Sequence, residues 1–162
     1  MPDLYLIDSN VVIEAARTYY PFERVPAFWI WLEEKCVGGM IRSIEIVGIE
    51  VTDPPALVDW MRARERQGLY LDTSDPGIQA EYQRMGDWIQ NQTYGEEHVA
   101  EFFRGADLWI VATASVHSAI AVTQEVLAGP GTKKVKIPDI CQSFGVPWMN
   151  TFSMLDELGA SF

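Results

Sequence analysis

Four acids stand where apolar runs give way to turns or helices. Asp8 closes the run LYLI at 4–7, Glu50 lies in VGIEV, Asp107 opens the small-residue stretch in GADLWIVATA, and Glu125 follows AIAVT. Carboxylates gathered in one place repel, and each is pushed towards its neutral form. Such a cluster is costly unless a divalent cation sits in it. Oxygen-only donors suit Mg2+ or Mn2+, and a metal held that way can activate water for in-line attack on a phosphodiester. Neither cysteine lies in a Cys-x-x-Cys or Cys/His cluster, and His98 and His117 stand apart, so a zinc centre is not supported.

Each acid also has an ordinary reading. Asp8 could be a turn acid or a helix cap, and Asp107 a plain N-cap. Glu50 could be one more helix residue, with Glu45 just as available, and Glu125 a solvated loop acid. Asp139 in IPDIC is a rival fourth ligand whose ordinary reading is a favourable place at a helix N-terminus. The case for a site rests on joint placement.

Placement depends on the elements. Residues 4–8 read as a buried strand, followed by a helix over about 11–19 capped by Ser9 or Asn10. A helix is expected over 26–37, a strand over 40–43, a helix through DPPALVDWMRARERQG, a strand or extended link over 69–74 and a helix over 75–92. Residues 93–104 read as polar and turn-rich. A buried helix over 108–114 and a strand over 119–123 come next. PDICQSFG reads as a short helix, VPWMN as a last strand, and TFSMLDELG as a helix that Thr151 could cap. Strands alternating with helices imply an α/β fold with a mostly parallel sheet, here one domain over 1–162. In such a sheet ligands bind beyond the carboxyl ends of the strands, where Asp8 and Glu125 would both project.

The 48% hydrophobic content fits a globular chain with a real core. No apolar run is long enough for a membrane span, and no basic leader precedes one, so a cytoplasmic location is expected. Cys36 and Cys141 read as reduced core thiols and each lone histidine as structural. A net charge of −11 argues against broad nucleic-acid binding and suits a basic protein partner. Local phosphate contacts could still come from Arg104, Lys133 and Lys134, with Lys136 nearby, whereas Arg62, Arg64 and Arg66 do not share one helix face and read as surface charge. The tryptophans read as core or interface.

LYLIDSNVVIEA, VGIEV, GADLWIVATA and AVTQE together resemble the PIN domain, the fold of many bacterial toxin ribonucleases. The resemblance spans essentially the whole chain, and KIPDIC and FWIWLEE resemble a PIN-like branch of uncharacterised bacterial proteins. It implies a three-layer fold with a mostly parallel central sheet flanked by helices. It implies catalytic Asp8, Glu50, Asp107 and Glu125, with Asp8, Asp107 and Glu125 on the metal and Asn10, Ser9 and Thr123 in support. It further implies Mg2+ or Mn2+, an RNA substrate, a cognate antitoxin and a homodimer that could use the aromatic-rich second helix. Glu125 departs from the Asp common at that place, a longer arm that could reach the metal through water. A phosphatase with an aspartyl nucleophile fits less well, because the acid needed two residues after Asp8 is Asn10. A dinucleotide enzyme lacks its glycine motif. A non-catalytic PIN-like module that docks a partner is the standing alternative.

Overall fold

The computed structural model describes residues 3–162. Strand β1 (Tyr5–Ile7) is buried along its whole length, as a strand covered on both faces must be. It pairs in parallel with β2 (Ile41–Ile44) on one side and β4 (Ile120–Val122) on the other, with Tyr5 opposite both Ile41 and Ile120. β3 (Tyr70–Leu71) adds outside β2 and β5 (Trp148–Met149) outside β4. The order β3-β2-β1-β4-β5 is parallel throughout. The chain builds outward on one side of β1 and then returns to its other side. The reversal lies between β1 and β4, and there the crevice of an open parallel sheet forms.

Helices flank the sheet. α1 (Ser9–Glu14) runs into a π-helical turn, Ala15–Tyr19, which ends before Pro21. α2 (Pro26–Val37) starts with proline at its first turn and turns Phe28, Trp29, Leu32 and Cys36 inward. α3 (Glu45–Glu50) and α4 (Pro55–Glu65) follow β2. α5 (Pro76–Gln90), capped by Asp75, lies along α7 (Asp107–His117), and α7 packs on β1, β2 and β4. The inward residues of α7 include Ala112 and Ala114, small enough for close approach. α8 (Ile137–Phe144) and α9 (Thr151–Glu157) flank β5 in sequence.

Three local expectations are corrected. Residues 93–104 are not all turn: Glu96–Arg104 form helix α6. Val99, Phe102 and Phe103 give it one apolar face, and Phe102 is buried. Acids in its first turn and Arg104 in its last suit the helix dipole. Tertiary packing, rather than propensity, holds so short an element. The cap of α1 is Asp8, not Ser9 or Asn10. The cap of α9 is Asn150, not Thr151, because the Asn150 side-chain oxygen Oδ1 accepts the Ser153 N–H at 2.9 Å.

Trp29 is buried, and Trp31, Trp60, Trp88 and Trp109 are half-buried against other aromatics. Trp29 stacks on Phe22 at 4.0 Å, and Trp109 on Tyr82 at 3.9 Å. Trp31 packs edge-on against Phe162. The aromatic stripe of α2 is thus used largely inside this chain, and its outward apolar residues are Ile30 and Val37. Cys36 and Cys141 are buried and unpaired, with burial pushing both thiols up to about 12. No described helix is long and apolar enough to cross a membrane.

Candidate metal centre

The site begins with the backbone. Asp8 N–H donates to the Val122 carbonyl at 3.0 Å, so β1 and β4 end level with each other. The Asp8 carboxylate, only 2% exposed, caps α1 by accepting the Ser9 N–H at 2.7 Å. Thr123 Oγ1 donates to its other oxygen at 3.3 Å. Asn10 stitches the two strand ends together. Its amide donates to Thr123 Oγ1 at 3.2 Å, and its carbonyl oxygen accepts the Gln124 N–H at 3.0 Å. Thr123 Oγ1 also accepts the Glu125 N–H at 3.2 Å, which fixes where that side chain leaves the strand. Ser9, Asn10 and Thr123 therefore all stand around the acids.

Asp8, Asp107 and Glu125 each offer one carboxylate oxygen, and the three atoms lie within 4.8 Å of one another. They arrive from the end of β1, the first turn of α7 and the segment after β4. Asp107 is not the cap of its helix. Ala106 holds that position, and Glu50 Oε1 accepts the Ala106 N–H at 2.6 Å. Glu50 Oε2 accepts from Ser9 Oγ at 2.8 Å. Glu50 thus borders the three acids while tying α3 to α1 and α7, and the Gly105 turn passes so close that a Cβ there would lie 3.1 Å from Oε1.

Glu45 is exposed and lines a different groove, with Gly48, Met61 and Tyr70. Asp139 does not join the three either. Its two oxygens accept the N–H groups of Ala128 (2.9 Å) and Gly129 (3.1 Å), pinning the loop after Glu125.

The electrostatics follow from burial. Desolvation raises the Asp8 carboxyl to about 7, with Glu125 and Glu50 adding to the rise and the Ser9 N–H and Thr123 hydroxyl opposing it. Burial first, and then the charges of Asp8, Glu125 and Glu50, lift Asp107 to about 8, and Lys136 pulls the other way. Glu125 is also raised by burial, against Lys136 and the Ile137 N–H. No salt bridge among the described residues reaches any of the three. Three converging carboxylate oxygens that no cationic side chain pairs directly are a donor set that fits a hard divalent cation.

Asp107 and Glu125 open onto a cleft of about 390 Å³ that His98, Glu101, Lys134 and Lys136 also line. Of the expected phosphate contacts, Lys134 is in this cleft. Lys133 instead donates its ammonium to the Thr93 carbonyl at 3.2 Å, and Arg104 is exposed at the end of α6. Arg64 is buried and paired with Glu33 Oε2 at 2.9 Å, so the surface reading fails for it. His98, read from the sequence as a structural histidine, lines the cleft instead; its helix was missed, and the signal for that helix was the spacing of Val99, Phe102 and Phe103.

The family described as a domain of unknown function, DUF4411, matches residues 5–162. No curated protein matches the chain in sequence. Among solved structures, FitAcB from Neisseria gonorrhoeae is similar at a TM-score of 0.53 and 20% identity, covering 92% of this chain and 99% of that one. FitAB bound to the IR36 DNA fragment is similar at 0.51 and 19% identity, covering 91% and 94%. The likeness is one of fold, and the fold is PIN-like.

Proposed function

This chain belongs to the DUF4411 family, and we propose that it is a divalent-metal-dependent endoribonuclease, a single PIN-like domain acting as the toxin of a pair with a cognate antitoxin. The observation that carries the reading is the convergence of Asp8, Asp107 and Glu125 within 4.8 Å at the β1/β4 reversal. Those three would hold Mg2+ or Mn2+. Bound there, the metal would supply Lewis acidity and a water activated for attack on phosphorus.

The chain's own residues do the rest. Asn10 and Thr123 hold the two strand ends in register, so that Asp8 and Glu125 cannot drift apart. Glu50 fixes the start of α7 and with it Asp107. Burial keeps the acids poorly hydrated, and they therefore gain more from a cation than exposed acids would. The net charge of −11 favours an antitoxin with a basic segment that can approach the cluster. Self-association would draw on the outward Ile30 and Val37 of α2.

The test is cleavage of a mixed structured-RNA pool by purified protein with Mg2+, with Mn2+ and with chelator, beside Asp8→Asn and Asp107→Asn. Cutting that needs metal and disappears in both folded variants supports the reading. A wild type that cuts nothing with either metal counts against it and favours a module that only docks a partner.

A further inference from the structure

The cleft beside the acids is lined by charges of both signs. Asp107, Glu125 and Glu101 are its acids. His98 on α6, and Lys134 and Lys136 on the segment leading into α8, line it too, from elements the strand-end motifs do not include. These two elements are fastened to each other. Gly95 N–H donates to the Lys133 carbonyl at 2.9 Å, and the Lys133 ammonium reaches back to Thr93. The fit is close at Gly95, where a Cβ would lie 3.1 Å from His98 Cδ2 and 3.6 Å from Lys133 Cβ. Lys133 is spent on this fastening. Lys134 and Lys136 are in no salt bridge among the described residues, although the chain is strongly acidic. Lys136 is near enough to Asp107 and Glu125 to pull both carboxyls down, yet it does not close an ion pair with either.

Cationic and N–H donors that share a polar cleft with an acid cluster, without forming an ion pair to it, match an anionic group that would lie beside a bound metal. A phosphodiester is such a group. We propose that His98, Lys134 and Lys136 form a phosphate seat that positions a single-stranded RNA backbone against the acid cluster, with Lys136 as its central contact. The inference deepens the nuclease reading and rests on it for the identity of the strand. Glu101, the remaining acid of the cleft, opposes an incoming phosphate.

The test measures binding apart from cutting. A fluorescently labelled eight-nucleotide single-stranded RNA is titrated, in chelator, into protein carrying Asp8→Asn and Asp107→Asn. That background lacks two ligands and two repelling charges. Adding Lys136→Met or His98→Ala should weaken binding about tenfold or more, the scale of a lost charge-assisted hydrogen bond. Lys136→Met should also flatten the slope of log affinity against log salt by about 0.7, as expected for one lost phosphate contact on a single strand. Glu101→Gln should tighten binding, a sign that a merely structural role would not give. Arg66→Met, exposed just after α4, should change nothing.

Unchanged affinity and slope in Lys136→Met and His98→Ala, or no binding by the background, overturns the seat. If the wild type cuts RNA with metal while those variants bind normally, the nuclease reading stands and the seat falls. If the octamer is held through Lys136 and His98 but the wild type cuts nothing, the seat stands and the nuclease reading falls.

Discussion

Two parts of the molecule bury charge in opposite ways. In the helical layer, Arg64 is 8% exposed, pairs with Glu33 at 2.9 Å and lies over the Trp60 ring at 5.0 Å. At the end of the sheet, Asp8 is 2% exposed, and its charged neighbours within the cluster are other acids. The first arrangement contains its own counter-charge and finishes a packing problem. The second leaves the electrostatic cost standing in the protein alone, where desolvation and like charge both oppose ionisation. A fold does not maintain such a cost through packing and hydrogen bonds at Ser9, Asn10 and Thr123 unless something offsets it. That contrast is what the proposed metal centre draws on, and it leaves Arg64 as architecture.

Substituting each in turn is the strongest way to break the contrast. Asp8→Asn keeps an N-cap for α1, since asparagine caps as well as aspartate. RNA cleavage should nevertheless fall by about 10²–10³-fold or more, given that a bound metal is worth several kcal/mol to the transition state. The metal-free variant should melt no lower than the wild type, because a desolvated, repelled carboxyl has been neutralised. Arg64→Met should do the reverse. It should cost about 2 kcal/mol, a value discounted because Glu33 is partly solvated. Cleavage per folded molecule should stay near wild type. Thermal melts and single-turnover assays separate the two. If Asp8→Asn melts well below the wild type, the cluster is structural and the contrast collapses.

The second effect is smaller and depends on pH. In the metal-free protein Asp8 sits at about 7 and Asp107 at about 8, both above the usual carboxylate value of 3.8. The native state then binds more protons than the unfolded chain between roughly pH 4 and pH 8, so stability must fall as pH rises through that window. The whole fall should be on the order of a few kcal/mol, since each tenfold change in a proton-binding constant is worth about 1.4 kcal/mol and coupled groups do not add fully. Saturating Mn2+ should act the other way. Its stabilisation should grow with pH as the ligands lose their protons, reaching about 2.7 kcal/mol at a hundred times the dissociation constant. Urea titrations at several pH values with chelator or Mn2+ read both slopes. A metal-free stability that is flat or rising from pH 5 to pH 8 would mean that the cluster carries no electrostatic cost for a cation to offset.

How far the sequence foretold this depends on the range of the signal. The strand-end acids were legible because an apolar run, an acid and a following helix are neighbours in the chain. Alternating strands and helices also gave the parallel sheet. Helix α6 was not legible as a helix, since its few apolar side chains are set among charged residues and its stability comes from packing. With it went the place of His98 in the cleft, since the sequence offered it only as a structural histidine. Competition between neighbouring cap residues hid the cap at Asn150 and left the one at Asp8 as one reading among several. The bracing role of Glu50 was also hidden, because its partners Ser9 and Ala106 are 41 and 56 positions away. Asp139 shows the limit from the other side. Its type and place suited a ligand or a helix-end acid, and only its long-range partners reveal a loop clasp.

Asp139 supplies the smallest test and the finest one. Both its oxygens are already engaged by the N–H groups of Ala128 and Gly129, so it has little left for a metal, while its charge still pushes Glu125 upward. Asp139→Ala should therefore free the loop after Glu125 at a cost of about 1 kcal/mol, the scale of partly solvated hydrogen bonds. Amide exchange should quicken at Ala128 and Gly129 and stay unchanged in β1 and β4. Mn2+ affinity should move only a few-fold, because losing a nearby negative charge and loosening Glu125 both weaken it slightly. Were Asp139→Ala instead to abolish Mn2+ binding as Asp107→Asn is expected to, the carboxylate would have left its amides for the ion. The cluster would then be a tetrad, and the line between acids satisfied within the protein and acids awaiting a cation would run on the other side of Asp139.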